Sequence, residues 1–472
     1  MDRKSWHGMV DPRASLRTLA LLMAAAFTAC AKTEGSATAD SSVAASSTVA
    51  STAACAGNSG GITVPSGFCA TVFADTIGHA RHIAVNSNGD VYVNTWSGGY
   101  YTTPAHPGGF IVALRDTNND GVADIVKRFG PDSLHGNGGG TGIAIYSGSV
   151  YAEESSPASA RIVRYPLSSD SLSATSAKSE TIVSGLPVSG GHPMHPFAIG
   201  QAGDMYVDLG SSTNSCQAKD RTLASPGRKP CVEMTTRAGI WKFDANRTNQ
   251  RFAPPLRYAT GIRNAVGIAF DANGQLYATQ HGRDQLADNW PKLFTSEQGQ
   301  NLPAEELLKI EKGADYGWPY CYYDGSQQKL VLAPEYGGDG KTTGDCATKK
   351  TPEAFFPAHW APDGLVFYGG SSFPAEYKGG AFIAFHGSWN RAPGAQQGYN
   401  VVFVPFISGK PVNPSQYNVF AKGFAGAPLG PDTNDKAAHR PTGLAVGPDG
   451  ALYITDDKAG RVWKVVYKGG SK

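Results

Sequence analysis

The chain has 472 residues, a formal net charge of +2 and only 17% charged residues. With no long Lys/Arg run, it offers no basis for nucleic-acid binding. The 58 glycines and 30 prolines, with 20 tyrosines and 8 tryptophans, point instead to many short strands joined by tight turns.

Residues 1–30 read as an export signal. Arg13 and Arg17 precede "TLALLMAAAFTAC", an apolar run too short to cross a bilayer as a stable helix. Its end, "FTAC", resembles a bacterial lipoprotein cleavage box, which makes Cys30 the candidate lipidation site. An ordinary signal cleaved nearby is the alternative. Residues 31–60 are mostly Ser, Thr and Ala, with too little bulky apolar surface to build a core, and read as a flexible tether. The expectation is an exported protein, periplasmic or held at the outer membrane of a bacterium by its lipid alone, with residues 61–472 forming the folded domain.

Six cysteines remain once Cys30 is set aside: Cys55 and Cys69, Cys216 and Cys231, Cys321 and Cys346. In an exported chain an even number predicts disulfides, here drawn between sequence neighbours, one of many connectivities. The spacings match no zinc site, and no C-x-x-C-H haem motif is present.

From about residue 62 one signature recurs: an apolar–Ala–apolar run, a Gly-containing turn, then apolar–Tyr–apolar. It appears as "HIAVNSNGDVYVNTW" (from His82), "GIAIYSGSVYAEE" (from Gly142), "PFAIGQAGDMYVDLG" (from Pro196), "GIAFDANGQLYATQH" (from Gly267) and "GLAVGPDGALYITDD" (from Gly443). A degenerate copy starts at Gly364. Each is a β-hairpin, and six copies predict an all-β, six-bladed β-propeller. A pair of β-sandwiches is the alternative, but sandwiches do not repeat one hairpin six times. The one short helix candidate is "PAEELLKIEKG" (from Pro303).

Between the first hairpin and the second lies "DTNNDGVAD". Asp116, Asn118 and Asp120 alternate toward one point, Gly121 makes the turn and Asp124 closes it, as in the first part of an EF-hand loop. Lys127 replaces the closing Glu, so bound calcium competes with a plain Asx-rich turn.

The loops beside the hairpins collect polar residues: "HGNGGGTG" before the second, "GGHPMHP" before the third, "ATGIRNAVG" before the fourth and "QHGRD" after it. "FPAHWAPDG" and "HGSWNR" flank the fifth, and "AAHRPTG" precedes the sixth. His or Arg at equivalent loops of five blades predicts a cationic channel mouth suited to a carboxylate-bearing ligand. His192 and His195 are three residues apart, and on residue type alone could be metal ligands, a base or loop structure. Zinc would need a third ligand, and Pro193 and Pro196 preclude a regular helix face. Trp318, Trp360 and Trp389 suit either stacking on a ligand or blade packing.

"TGIRNAVGIAF", "GADYGWPYC", "YKGGAFIAFHGSWNR" and "RPTGLAVGPDGALYITDD" together resemble the glucose/sorbosone dehydrogenase family, over nearly all of Gly67 to Tyr467. The resemblance implies a propeller that binds pyrroloquinoline quinone and oxidises a sugar hydroxyl or aldehyde, passing electrons to an external acceptor. It implies His192 as the base that removes the hydroxyl proton and Arg263 as the group polarising the hydride-accepting carbonyl. Asn264 matches the family's Asn partner of that Arg. Asn137, His359, Arg391 and Arg440 fall at other cofactor contacts. A Ca²⁺ ion beside the quinone is implied, held by the Gly282 carbonyl, the Glu306 carboxylate and the Tyr316 carbonyl. The chain departs from the family where His195 replaces an Arg and His439 precedes Arg440 in place of an Arg pair. The competing reading is a non-enzymatic lipoprotein propeller that binds a ligand or partner at its channel mouth.

Overall fold

The computed structural model describes residue 55 and residues 57–96, 108–131, 138–168, 172–174 and 178–469. Cys30, Asn137, the export signal and most of the tether lie outside these residues.

The repeated hairpin is the inner half of each blade. Its small residue faces its large one across the turn: Ala84 pairs with Tyr92, Ala144 with Tyr151, Ala198 with Tyr206, Ala269 with Tyr277 and Ala445 with Tyr453. In the degenerate copy Val366 pairs with Phe382. A small residue opposite an aromatic ring leaves room for that ring on the sheet surface, so the signature records cross-strand packing.

Each hairpin is extended by two outer strands, and that of blade 2 by a third, Gln250–Arg251. Blade 1 is Ala80–Val85, Val91–Thr95, Ile111–Arg115 and Ile125–Phe129. Blade 2 begins at Ile143–Tyr146, blade 3 at Phe197–Ile199, blade 4 at Ile268–Phe270, blade 5 at Pro362–Phe367 and blade 6 at Pro441–Val446. These six first strands touch their neighbours all the way round, the last meeting the first, so the fold is a closed six-bladed β-propeller.

Closure comes from the chain's beginning. Phe68–Ala74 pairs antiparallel with Arg461–Tyr467 and completes blade 6. Phe68 anchors it with its ring 4.8 to 5.3 Å from Phe373, Tyr377, Phe420 and Tyr467. The folded part begins earlier than residue 61. Val72 N–H donates to the Asn58 carbonyl at 2.9 Å, and Trp463 Nε1–H to that of Ser59 at 2.9 Å. Cys55–Cys69, Cys216–Cys231 and Cys321–Cys346 are disulfides, the neighbour pairing expected.

"PAEELLKIEKG" is not a helix. Glu305–Lys309 is the third strand of blade 4, between Leu276–Gln280 and Ala354–Phe356. Pairing on both edges overrides the helix propensity of Glu, Leu and Lys. The nearby helix is Ser296–Asn301, opened by a capping box between Thr295 and Gln298.

Polar side chains at the inner strands stitch blade to blade. Asn94 donates to the carbonyls of Gly142 and Glu153, Thr279 to that of Pro362, and Thr455 to that of Arg81. Asp208 accepts from the Ala265 amide at 3.2 Å. These bonds satisfy backbone groups where the first strands converge and fix the wall of the channel.

Candidate active site

One end of the channel opens into a cavity of about 820 Å³, within the usual size of small-molecule sites. Its lining mixes cations (Arg81, Arg221, Arg263, Arg440, Lys458), histidines (His192, His281, His359, His386) and carboxylates (Asp284, Glu305, Asp363, Asp457). Arg221, His359 and Ala361 in this wall have left-handed backbone, with φ of 51, 66 and 60°. Such conformations in residues other than glycine gather where a structure holds side chains against their preference.

His192 lies on the irregular loop before blade 3. Its Nδ1 is 2.8 Å from the Ser211 carbonyl oxygen. A carbonyl only accepts, so the proton is on Nδ1 and the lone pair on Nε2. Burial, and then the Arg263 charge, hold its pKa well below the ordinary histidine value. The ring is therefore neutral and basic at Nε2. Ser211 also donates its N–H to the Arg263 carbonyl at 2.7 Å, which couples the two loops. Gly210 sits between them: a methyl group there would come 2.7 Å from His192 Cβ and 2.9 Å from Asn264 Oδ1. Only a residue without a side chain lets them approach.

His195 turns away from the cavity and is fully buried. Nδ1 lies 2.9 Å from Glu153 Oε1 and Nε2 3.1 Å from the Pro187 carbonyl, so it joins blade 3 to blade 2. Of the two histidines only His192 reaches the cavity, and the pair cannot share a metal.

Arg263 is held by three oxygens: Asp284 Oδ2 at 2.9 Å, Asn214 Oδ1 at 3.0 Å and the Asn214 carbonyl at 3.1 Å. Asp284 also binds Arg221 at 2.8 Å and, through Oδ1, Asn390 at 2.9 Å. Those guanidiniums hold its carboxyl well below the usual range, against a large burial penalty. Asn264 Oδ1 is buried without a hydrogen-bond partner among the described residues. His359 donates from Nε2 to the Gly299 carbonyl at 2.9 Å, leaving Nδ1 to accept from Asn390 at 3.3 Å. Arg440 donates to the carbonyls of His386 and Gly387 at 2.9 and 2.6 Å.

Arg391 does not line the cavity. It is buried, donating to the carbonyls of Gln300 and Ala358 and to Asn301 Oδ1. It pins the "HGSWNR" loop to the helix Ser296–Asn301.

Deeper in the channel, Arg81 bridges Asp363 at 3.1 Å and Asp457 at 2.6 Å, with His281 on the first and His386 on the second. His281 and His386 follow the second strands of two hairpins, within the loops singled out as polar. Asp284 and Asp363 lie in those loops too and Asp457 ends the sixth hairpin, but nothing local singles out these carboxylates or Arg81, because Arg81 meets Asp363 and Asp457 only across blades.

Gly282, Glu306 and Tyr316 share the wall of a small separate cavity of about 20 Å³, room for one ion or water. Glu306 Oε2 is buried there without a partner, and burial pushes its pKa up to about 8. Arg263 and Arg283 also reach this wall, but each is neutralised, Arg263 by Asp284 and Arg283 by Glu335 at 2.6 Å. Glu306 Oε1 accepts from Gln280 at 2.8 Å, so one free buried carboxylate oxygen remains, which fits a hard cation. In "DTNNDGVAD" the side chains cap the turn itself, and Asp116, Asp120 and Asp124 are not among the metal-holding groups found in the described residues. Asp124 accepts from Thr117 and Asn118, Asp116 from Gly121 N–H and Asp120 from Val122 N–H. The loop connects the outer strands of blade 1, and none of its residues lines the large cavity.

Residues 62–468 match the TrAA12-like family model. The chain belongs to that family. Among solved structures, the *Trichoderma reesei* AA12 enzyme with calcium is 19% identical with a TM-score of 0.66, covering 87% of this chain and 98% of that one. The quinone-binding (PQQ) domain of *Coprinopsis cinerea* pyranose dehydrogenase is 21% identical with a TM-score of 0.64, over 86% and 97%. At these identities the likeness is one of fold. In sequence, an uncharacterised *Borreliella burgdorferi* protein is 33% identical over 213 residues, 44% of this chain and 48% of that protein. A pyrroloquinoline quinone-dependent pyranose dehydrogenase of *Coprinopsis cinerea* is 27% identical over 268 residues, 48% of this chain. The matches span about half or less of the curated relatives' own length, 48% and 34%. The family model and the propeller agree with the glucose/sorbosone dehydrogenase resemblance on architecture.

Proposed function

We propose that this chain is a quinone-dependent sugar dehydrogenase in which His192 removes the proton of a sugar hydroxyl, or of a hydrated aldehyde, as hydride leaves the same carbon. The observation that carries this reading is the fixed tautomer of His192: Nδ1–H on the Ser211 carbonyl, the Nε2 lone pair on a ring that lines the cavity. Bound in the cavity, pyrroloquinoline quinone supplies the two-electron acceptor for that hydride. A flat tricarboxylate matches the wall, with Arg263, Asn264, His359 and Arg440 as its holders and the unpartnered Asn264 Oδ1 as a free acceptor. Asn137 belongs to the same proposed set. Arg391 acts through the loop it pins.

Each side chain then has one task. His192 takes the proton at Nε2, and the Ser211 carbonyl keeps the ring oriented while it is charged. Arg263 holds positive charge where negative charge builds in the transition state, and Asp284 fixes its direction. Calcium, held by Gly282, Glu306 and Tyr316, supplies Lewis-acid polarisation of the cofactor. A second, structural Ca²⁺ is assigned to Asp116, Asn118, Asp120 and Asp124.

The electrons pass to an external acceptor, and the substrate is a small sugar. The chain is exported, and a lipid on Cys30 is its only membrane anchor. The test is to add pyrroloquinoline quinone and Ca²⁺ to the purified chain and follow dye reduction with a panel of aldoses. Activity that needs both additions and is lost in His192→Ala supports the reading; an inert loaded protein refutes it.

A further inference from the structure

Trp389 is 48% exposed at the cavity, whereas the other large apolar side chains of the wall, Trp96, Met194 and Val266, are buried. A large indole left in water at a cavity rim is the informative kind of exposure. Its surroundings are rigid. Ser388 next to it donates its hydroxyl to Gln396 at 2.7 Å, and its N–H goes to the Gln397 carbonyl at 2.8 Å. Asn390 on the other side binds Asp284 and His359.

The Arg221 guanidinium lies over the indole, 5.9 Å from the ring centroid. Arg221 is itself held by Asp284 at 2.8 Å and Gln285 Oε1 at 3.1 Å, although Arg221 and Gln285 have left-handed backbone, with φ of 51 and 59°. The left-handed positions are over-determined by these contacts, which keep the guanidinium against the ring. One indole face is thus covered and oriented, and solvent reaches the rest.

Asp284 therefore connects two places. One oxygen holds Arg263, which stands beside His192, and the same oxygen holds Arg221, which stacks on Trp389. The rim platform is one carboxylate away from the reacting end of the cavity. Across the cavity the rim is polar: Asn434, Asp435 and Lys458 line it, with Lys458 Nζ donating to the Asp435 carbonyl at 2.9 Å.

We propose that Trp389 and Arg221 form an outer saccharide subsite, which binds the second pyranose ring of a disaccharide or longer oligosaccharide whose reducing-end ring lies at His192. A pyranose offers a patch of C–H bonds on one face and hydroxyls at its edge. The C–H face suits the electron-rich indole, and the hydroxyls suit donors such as the guanidinium and acceptors such as the rim carboxylate and amide. Charge alone could serve a carboxylate ligand, but the exposed indole serves a ring. This inference rests on the sugar-oxidising reading for the identity of the inner ring.

The test compares glucose with cellobiose and maltose on the loaded enzyme, measuring kcat/KM for wild type, Trp389→Ala and Trp389→Phe. In parallel, tryptophan fluorescence follows binding of methyl cellobioside and methyl maltoside, which have no free anomeric hydroxyl. The subsite predicts that at least one disaccharide is favoured over glucose in wild type. Trp389→Ala then lowers the disaccharide-to-glucose ratio about tenfold, the size of a lost stacking contact of 1.4 kcal/mol, and Trp389→Phe restores part of it. Arg221→Lys loses part of the ratio through the platform's orientation. Equal loss for glucose and disaccharide in Trp389→Ala overturns the subsite, as does an unchanged ratio. If no aldose is oxidised but the glycosides bind in a Trp389-dependent way, the dehydrogenase reading fails and the subsite stands. If aldoses are oxidised and the glycosides do not bind, the subsite fails and the dehydrogenase reading stands.

Discussion

Arg81 and Asp363 are 282 residues apart in the chain and meet at 3.1 Å in the wall of the cavity. The same Arg81 nitrogen lies 2.6 Å from Asp457. One buried guanidinium thus bridges carboxylates of blades 5 and 6 from blade 1, and its Nε reaches Thr141 of blade 2 at 3.2 Å. Arg81→Met should leave two buried carboxylates without their cation, at a cost of about 3 to 5 kcal/mol. A urea titration should show a clearly lower midpoint, partly recovered when Asp363→Asn and Asp457→Asn are added. An unchanged midpoint in the single variant would show that the bridge contributes nothing to the ring.

The two histidines of "GGHPMHP" should separate into different losses. His192→Ala should slow reduction of bound quinone in a single turnover by about a hundred- to ten-thousand-fold, with little change in thermal midpoint. His195→Ala should lower the midpoint instead, because it strands Glu153, which is buried and held ionised mainly by His195 against a large burial penalty. Slow turnover with normal stability in His195→Ala, beside an active His192→Ala, would reverse the assignment.

Acid should act on stability before it acts on the base. His192 is held well below 6.5 by burial, and His82 is pushed down to about 4 by the same cause. The unfolded chain therefore takes up these protons first, so stability should fall as pH drops from about 6.5 toward 4. His192 stays neutral over that range, so the single-turnover rate of the folded enzyme should stay level through pH 6. A rate falling with a midpoint near 6.5 would mean that the base is an ordinary exposed histidine.

Glu306 gives a test of calcium that does not depend on activity. Its carboxyl titrates at about 8, so Glu306→Gln exchanges one largely neutral group for another at pH 7 and should leave metal-free stability nearly unchanged. The rise in thermal midpoint on adding Ca²⁺ should be lost. The comparison is best made with Asp120→Asn and Asp124→Asn already present, which silences the outer loop. Persistence of the full calcium shift in that background would remove Glu306 from the ligand set.

The repeated hairpin, the neighbour disulfides and the polar loops were legible in the sequence because each is a local property. Ala84 and Tyr92 lie in one hairpin, and their pattern repeats blade after blade. Cys216 and Cys231 are 15 residues apart and need no knowledge of the ring. The strand at Glu305–Lys309 was misread because its two pairing partners, not its own residues, decide its conformation. Tertiary structure alone decided which side chains face the cavity. His192 and His195 sit in a loop interrupted by Pro193 and Pro196, where neither a 3.6- nor a 2-residue period assigns a face. Arg391 carries the right charge in the right loop, yet the Gln300 carbonyl and Asn301 side chain of the neighbouring helix and the Ala358 carbonyl capture it behind the wall. The bridge from Arg81 to Asp363 exists only once the blades close into a ring, and that from Asp284 to Arg221 only once blades 3 and 4 pack, because packing brings together charges that no spacing along the chain relates.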